Sequence, residues 1–123
     1  MKNNQDILNK LRFEHITELE MVFKNTEEIQ EEFLHSKYIS YNFGLKYSIQ
    51  IIGLKCRQYT ILFIIDNEEI LDLFILDLNS NIKFVNIENI LILKTTNSFG
   101  SLYYKYNLNN IKHKELIEFK EIC

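Results

Sequence analysis

The 123-residue chain has a net charge of −3, and 46% of its residues are hydrophobic, with nine Phe and seven Tyr among them. This length and composition predict a single globular domain, residues 1–123, and exclude both a disordered chain and a protein with general affinity for nucleic-acid backbones. No apolar run reaches the ~20 residues that span a bilayer and no signal-peptide pattern opens the chain, so we expect a soluble, cytoplasmic protein.

The N-terminal stretch predicts a short helix followed by a change of period. Asn4 is a suitable N-cap for a helix that continues to about His15, because apolar residues then recur at helical spacing. In Thr17–Phe23 the apolar residues alternate, which favours a strand. A single helix from Asn4 to Lys24 is the competing interpretation.

A second helix is predicted to begin at Asn25. Asn25 is a good N-cap, and Glu28 three residues later completes a capping box. The helix should end near Lys37, with an apolar stripe on one side. Four glutamates lie on and beside its outer face: Glu27, Glu28, Glu31 and Glu32.

The middle of the chain predicts strands. Tyr38–Leu54 is interpreted as one long strand, since Tyr41–Ile52 alternates between apolar and polar residues as a half-buried antiparallel strand does. Tyr59–Ile65 is a continuous apolar run rich in β-formers, which is typical of a central strand covered on both faces. Ile70–Leu78 and Ile82–Ile87 follow after short polar turns, and this spacing predicts antiparallel neighbours.

The C-terminal third is less decided by its pattern. Leu102–Tyr106 is predicted to be a strand. Periodicity leaves helix and strand open for Glu88–Lys94, and Lys112–Ile122 is compatible with either. Together the elements predict an α+β domain with an antiparallel β-sheet, a meander of four to six strands, and one to three packed helices.

Catalytic and metal-binding motifs are not found in the sequence. Cys56 with a histidine supplied by folding is the only candidate for a nucleophilic pair, and His15, His35 and His113 are each isolated in sequence. The cysteines and histidines lack the short spacing of structural zinc sites, and the glycines are too dispersed for a phosphate-binding loop. We therefore expect no enzymatic activity, no metal and no cofactor.

One segment has the composition of a single-strand binder. From Tyr38 to Ile65 the chain has no acidic residue, while Lys46, Lys55 and Arg57 are present with interleaved tyrosines. Basic sheet faces with stacking aromatics bind single-stranded nucleic acids. Single-stranded nucleic-acid binding on this side of the sheet is therefore kept as the alternative function.

Acidic residues form two clusters that favour a basic protein partner. The first cluster covers the first third of the chain and comprises Glu14, Glu18, Glu20, Glu27, Glu28, Glu31 and Glu32. The second cluster comprises Asp66, Glu68, Glu69, Asp72 and Asp77. Complementary charge raises association rates, and exposed tyrosines are suitable interface anchors. The predicted contact residues are Glu27, Glu28, Glu31, Glu32, Asp66, Glu68, Glu69, Tyr103 and Tyr104.

In these features the chain resembles the small bacterial immunity proteins of contact-dependent growth inhibition systems. The resemblance covers the whole chain and consists of its size, its acidity, its Ile/Asn/Lys-rich composition, and an acidic helix (Glu27–Glu32) beside a meander (Tyr38–Ile87). It implies a non-enzymatic protein that binds a cognate toxin domain, often a basic nuclease such as an EndoU-like RNase, and occludes its active site. The class has no shared motif whose residues could be transferred to this sequence.

Overall fold

A computed structural model describes residues 3–41, 49–87, 90–97, 100–107 and 115–121. Within these ranges the chain forms three helices and eight strands. The helices are α1 (Asn4–Lys10), α2 (Phe13–Leu19) and α3 (Thr26–His35). The strands are β1 (Lys37–Tyr41), β2 (Ile49–Lys55), β3 (Tyr59–Asp66), β4 (Glu69–Asp77), β5 (Asn81–Ile87), β6 (Ile90–Asn97), β7 (Gly100–Asn107) and β8 (Glu115–Glu121).

The strands form two antiparallel sheets. Sheet A has the order β1-β2-β3-β4 and sheet B has the order β5-β6-β7-β8, so each sheet is a meander of sequential neighbours. The predicted α+β class with antiparallel pairing and up to three helices is confirmed. The strands make two sheets of four. One apolar face of sheet A packs on the helices, and its other face packs on sheet B.

Strand β3 is the centre of this three-layer arrangement. Ile61, Phe63 and Ile65 point into the core shared with the helices. Leu62 and Ile64 point into the core shared with sheet B. All five side chains are almost completely buried, so the prediction of a central strand covered on both faces is confirmed.

The predicted long strand Tyr38–Leu54 is wrong as a single element. β1 and β2 pair antiparallel, with Tyr41 opposite Ile51, so the chain reverses direction between them. Residues 42–48, which carry much of the alternating pattern, lie outside the described residues. Alternation defines the two faces of a strand but carries no signal for where the chain turns back.

The predicted strand Thr17–Phe23 is also wrong, because α2 covers Phe13–Leu19. The competing single helix is wrong as well, since Leu11 adopts an extended backbone conformation that ends α1. His15 and Leu19 on α2 are buried. The side chains that α2 places in the core are therefore four residues apart, as on one face of a helix. The alternation of apolar residues in the sequence does not correspond to a strand.

The predicted N-cap is correct for α3 and one residue too late for α1. The Glu28 amide donates to the Asn25 side chain at 2.9 Å, and α3 begins at Thr26 and ends at His35, two residues before the predicted end. The cap of α1 is Asn3, whose side chain accepts from the Asp6 amide at 3.0 Å. Asn4 is the first residue of the helix rather than its cap.

Strands account for the described parts of the two undecided C-terminal segments. Ile90–Asn97 is β6 and pairs with β5 and β7. Glu115–Glu121 is β8 and pairs with β7 across a register shift. The β-interpretation of both segments is therefore confirmed where the chain is described.

Candidate protein-binding surface

Helix α3 crosses the end of sheet A that carries the turn between β2 and β3. The Phe33 ring meets Phe23 at 6.3 Å between centroids and Phe63 at 5.9 Å, edge to face in both cases. Phe23 also meets Tyr59, the first residue of β3, at 5.9 Å. Because these rings come from the segment before α3, from α3 itself and from β3, they fix the helix on the sheet.

The C-terminal end of α3 is held by the side chain of Asn4. The Asn4 amide donates to the Phe33 carbonyl at 2.6 Å and to the Ser36 carbonyl at 2.9 Å. The last carbonyls of a helix lack intrahelical partners, and here the Phe33 carbonyl accepts from the Ser36 amide and hydroxyl as well as from Asn4. The helix is thus pinned at its end as well as along its buried face.

Glu32 and Arg57 form an ion pair between α3 and the β2–β3 turn. The Arg57 Nε donates to Glu32 Oε1 at 2.6 Å, and its Nη2 also contacts this oxygen. Glu32 is only 8% exposed, so the prediction that it lies on the outer face is wrong. The hydrogen bond from Arg57 lowers the pKa of Glu32 below its ordinary value.

The remaining glutamates of α3 form an acidic ridge, defined here as Glu27, Glu28 and Glu31. Glu27 and Glu31 are exposed and Glu28 is half-buried. Among the described residues, no ion pair engages any of the three. Like charges four residues apart disfavour a helix by about 0.2–0.5 kcal/mol, so the 27–31 spacing has a small cost within the isolated chain.

A cleft of about 380 Å³ lies beside the acidic ridge, between α3 and the β2–β3 turn. Its lining residues are Glu31, Glu32, His35, Ser36, Lys55, Cys56 and Arg57. Burial raises the pKa of the Cys56 thiol to about 12, and the nearby Glu32 carboxylate adds to the effect. The thiolate is the nucleophilic form of cysteine, so this raised pKa disfavours the catalytic role considered for Cys56.

The second acidic cluster lies at the opposite end of sheet A. Asp66, Glu68 and Glu69 surround the turn between β3 and β4, whereas Arg57 and the acidic ridge lie at the start of β3. The length of β3 separates the two clusters by roughly 23 Å at 3.3 Å per residue. The structure therefore keeps the glutamates of α3 apart from Asp66, Glu68 and Glu69, whereas Arg12 contacts both Glu14 of the first cluster and Glu69 of the second.

Part of this second cluster holds the helical layer in place. The Arg12 guanidinium contacts Glu69 Oε1 at 2.9 Å and donates to the Ile70 carbonyl at 3.1 Å. Arg12 belongs to the linker between α1 and α2. Glu69 therefore has a structural contact that reduces the charge it offers to a partner.

Tyr103 and Tyr104 lie on sheet B, on the other side of sheet A from α3. Tyr104 packs against Phe74 in the core between the sheets, with ring centroids 4.9 Å apart. Tyr103 is half-buried, and the Lys94 ammonium lies 5.4 Å from its ring centre. Neither tyrosine adjoins the acidic ridge, so they do not extend that surface.

Of the described histidines, His35 lines the same cleft as Cys56, and His15 has a structural role in the helical layer. His15 is buried, and its Nδ1 accepts a hydrogen bond from the Arg12 amide at 3.0 Å. This hydrogen bond makes Nδ1 the acceptor that caps α2, and burial lowers the pKa of His15. Within the described ranges no group of three or more His, Cys, Asp or Glu residues could hold a metal ion, and His113 lies outside those ranges.

The basic, aromatic segment of sheet A is largely occupied by packing. Arg57 is engaged by Glu32, and Tyr41 and Tyr59 contact Phe84 and Phe23 at 6.0 and 5.9 Å between ring centroids. Lys46 lies outside the described residues. Because helices and sheet B cover its two faces, the described part of sheet A has no open aromatic face for stacking bases.

No local pattern in the sequence predicts the Glu32–Arg57 ion pair at this surface. Glu32 and Arg57 are 25 residues apart, and Arg57 lies in a polar connection where a charged side chain is expected to be solvated.

Among the described residues no helix is long and apolar enough to cross a membrane. Comparisons with protein-family models, with curated proteins and with solved structures find no match for this chain.

Proposed function

We propose that this protein is an immunity protein that binds a basic toxin domain, a nuclease such as an EndoU-like RNase, and neutralises it by covering its active site. It acts without catalysis of its own, in the cytoplasm of the cell that it protects. The observation that carries the proposal is the acidic ridge, which displays Glu27 and Glu31 on a helix fixed to the core.

The electrostatics of the ridge support a basic partner. Nucleases bind a polyanion, so the surface around their active site is commonly positive. An opposed row of carboxylates attracts such a surface at long range and fixes the orientation in which the two proteins dock. The partner also relieves the repulsion between Glu27 and Glu31 that the free helix bears.

The rigidity of α3 supports tight binding. Association costs free energy for every loop or side chain that becomes ordered at the interface. The Phe33 contacts, the Asn4 hydrogen bonds and the Glu32–Arg57 pair already order the helix in the free protein. The ridge is therefore presented to a partner with little further ordering.

The proposal is tested by searching beside this gene for a large surface effector and expressing its C-terminal domain as the candidate toxin. Co-expression should relieve its toxicity, and the two proteins should co-purify in equal amounts. Cleavage of a labelled RNA by the purified toxin domain should fall linearly with added protein and stop at one equivalent. Toxicity and cleavage that persist with excess protein would exclude this toxin domain as the partner.

The same labelled RNA is used to test the alternative function, single-stranded nucleic-acid binding. Labelled single-stranded RNA mixed with the protein alone should show no rise in fluorescence anisotropy at low salt. A salt-sensitive rise, lost when Lys55 is replaced by Gln, would favour single-stranded nucleic-acid binding over toxin neutralisation.

A further inference from the structure

A groove of about 240 Å³ runs between the three helices, on the opposite flank of α3 from the Arg57 cleft. Its lining residues are Gln5, Leu8, Asn9, Leu11, Ile16, Thr26, Ile29, Gln30 and Leu34. None of them is charged, and five are apolar. The acidic ridge forms the adjoining outer surface of α3, so a depression lined by apolar and uncharged polar side chains lies beside a row of carboxylates.

Leu34 is an exposed apolar residue at the rim of this groove. It is 49% exposed and lines the groove together with Gln30 of the same helix. At the floor, Ile29 is fully buried, and Leu8, Leu11 and Ile16 are half-buried against the same core. An apolar side chain placed between Leu34 and the half-buried Leu8, Leu11 and Ile16 would remove the exposed surfaces of these four residues from water.

We propose that the groove receives an apolar side chain from a basic helical segment of the partner, while neighbouring lysines or arginines of that segment meet the acidic ridge. This inference rests on the proposed function and names the anchor of its interface. Interfaces draw most of their binding free energy from a few apolar anchors in desolvated pockets, with charged groups around them.

Charge complementarity identifies a basic partner rather than a second copy of this chain. The region from Asn3 to Ser36, which contains the helices, has eight acidic and three basic residues. Two copies meeting through this layer would bring like charges together at short range, which is unfavourable. A basic amphipathic segment meets the groove and the ridge with the opposite charge.

The test uses three short labelled peptides and one pair of matched variants. The first peptide is an amphipathic helix of Leu and Lys, the second replaces Leu by Ser, and the third replaces Lys by Glu. Leu34→Gln removes the apolar rim, and Val85→Gln is the control, because Val85 is 50% exposed on sheet B. Thermal unfolding of both variants establishes that the fold is retained.

The Leu/Lys peptide should bind wild type more tightly than the Ser/Lys peptide, and the Leu/Glu peptide should not bind. Leu34→Gln should weaken the Leu/Lys peptide about tenfold, and Val85→Gln should leave its affinity unchanged. In two-dimensional NMR, this peptide should shift the methyl signals of Leu8, Leu11, Ile16 and Leu34.

Other outcomes would overturn the proposal. Equal affinity for the Leu/Lys and Ser/Lys peptides, or equal losses in the two variants, would show that charge alone attracts the peptide. A concentration-dependent dimer of the free protein that Leu34→Gln abolishes would assign the groove to a second copy. Absence of binding by the Leu/Lys peptide would also reject the groove as an anchor site.

The toxin domain separates failure of the groove from failure of the proposed function. If the protein neutralises the toxin and Leu34→Gln dissociates from it no faster than wild type, the function stands and the groove assignment is wrong. If the toxin domain does not bind, the proposed function is wrong for that toxin, and the peptide affinities still decide the chemistry of the groove.

Discussion

The two acidic clusters of this protein carry similar charge but differ in what the fold does with it. At the β3–β4 turn, Glu69 contacts Arg12 and ties the α1–α2 linker to the sheet. On α3, Arg57 forms its ion pair with the buried Glu32, while Glu27 and Glu31 are exposed on a helix with a cleft and a groove on its flanks. Charge in the sequence therefore does not by itself mark an interaction surface, since its availability depends on contacts far along the chain.

The largest expected effect comes from removing the aromatic contact that holds α3. Phe33→Ala should lower the free energy of unfolding by about 3–5 kcal/mol, because the fully buried ring leaves a cavity between Phe23 and Phe63. Urea unfolding followed by circular dichroism measures this loss. Phe13→Ala is the matched control, since Phe13 is 84% exposed and its loss should change stability by less than about 0.5 kcal/mol. A similar effect of both variants would contradict the role given to the Phe33 contact.

The next effect concerns the ion pair beneath the ridge. Glu32→Gln should lower stability at pH 7 by about 1 kcal/mol, because a charge-assisted hydrogen bond to Arg57 becomes a weaker one. Glu31→Gln on the same helix should be nearly neutral. Urea unfolding of the two variants checks this difference, and equal stability would show that the Glu32–Arg57 pair contributes nothing at this surface.

The same pair predicts a pH dependence with a definite sign. The pKa of Glu32 is lowered in the folded protein, so the unfolded chain binds its proton first as the pH falls. The stabilisation is fully present above about pH 4.5, the ordinary value for this group, and is lost as the pH falls through the lowered pKa. Glu32→Gln should have a shallower decline of stability over this window in urea titrations, whereas an unchanged decline would assign the acid sensitivity to other carboxylates.

Particular residues show how far the sequence determines this fold. The run Tyr59–Ile65 has no polar position except Thr60, so a strand made of it is stable only where both faces are covered. Asn25 caps α3 through the Glu28 amide three residues away, a contact that local sequence contains in full. Elements defined by such short-range chemistry could be predicted.

Elements decided by distant contacts could not be predicted. Asn3 and Asn4 are chemically identical. The Asn3 side chain caps α1, and the Asn4 side chain instead donates to the Phe33 and Ser36 carbonyls, whose position the local sequence does not reveal. From the sequence alone Glu32 has the pattern of a surface residue, and its contact with Arg57 in the β2–β3 turn is seen only in the structure. For the same reason the groove beneath Leu34 has no local signature, because three separate helices line it.

The smallest expected effect is at the other acidic cluster. Glu69→Gln should lower stability by about 0.5 kcal/mol or less at low salt, since both side chains of the Arg12–Glu69 pair are about half exposed. The difference from wild type should vanish near 1 M salt, where charges are screened within about 3 Å. A large, salt-independent loss would show that this turn holds the helical layer more firmly than an exposed ion pair does.

The central claim is that the acidic ridge of α3, and not the β3–β4 turn, attracts the partner. Its most direct test is the association rate constant with the toxin domain, measured by stopped flow at low and high salt. The double variant Glu27→Lys/Glu31→Lys should associate at least about tenfold more slowly at low salt, with the difference reduced at high salt, while Glu68→Lys should associate at nearly the wild-type rate. An unchanged rate for the ridge variant, or an equal slowing by Glu68→Lys, would contradict the account.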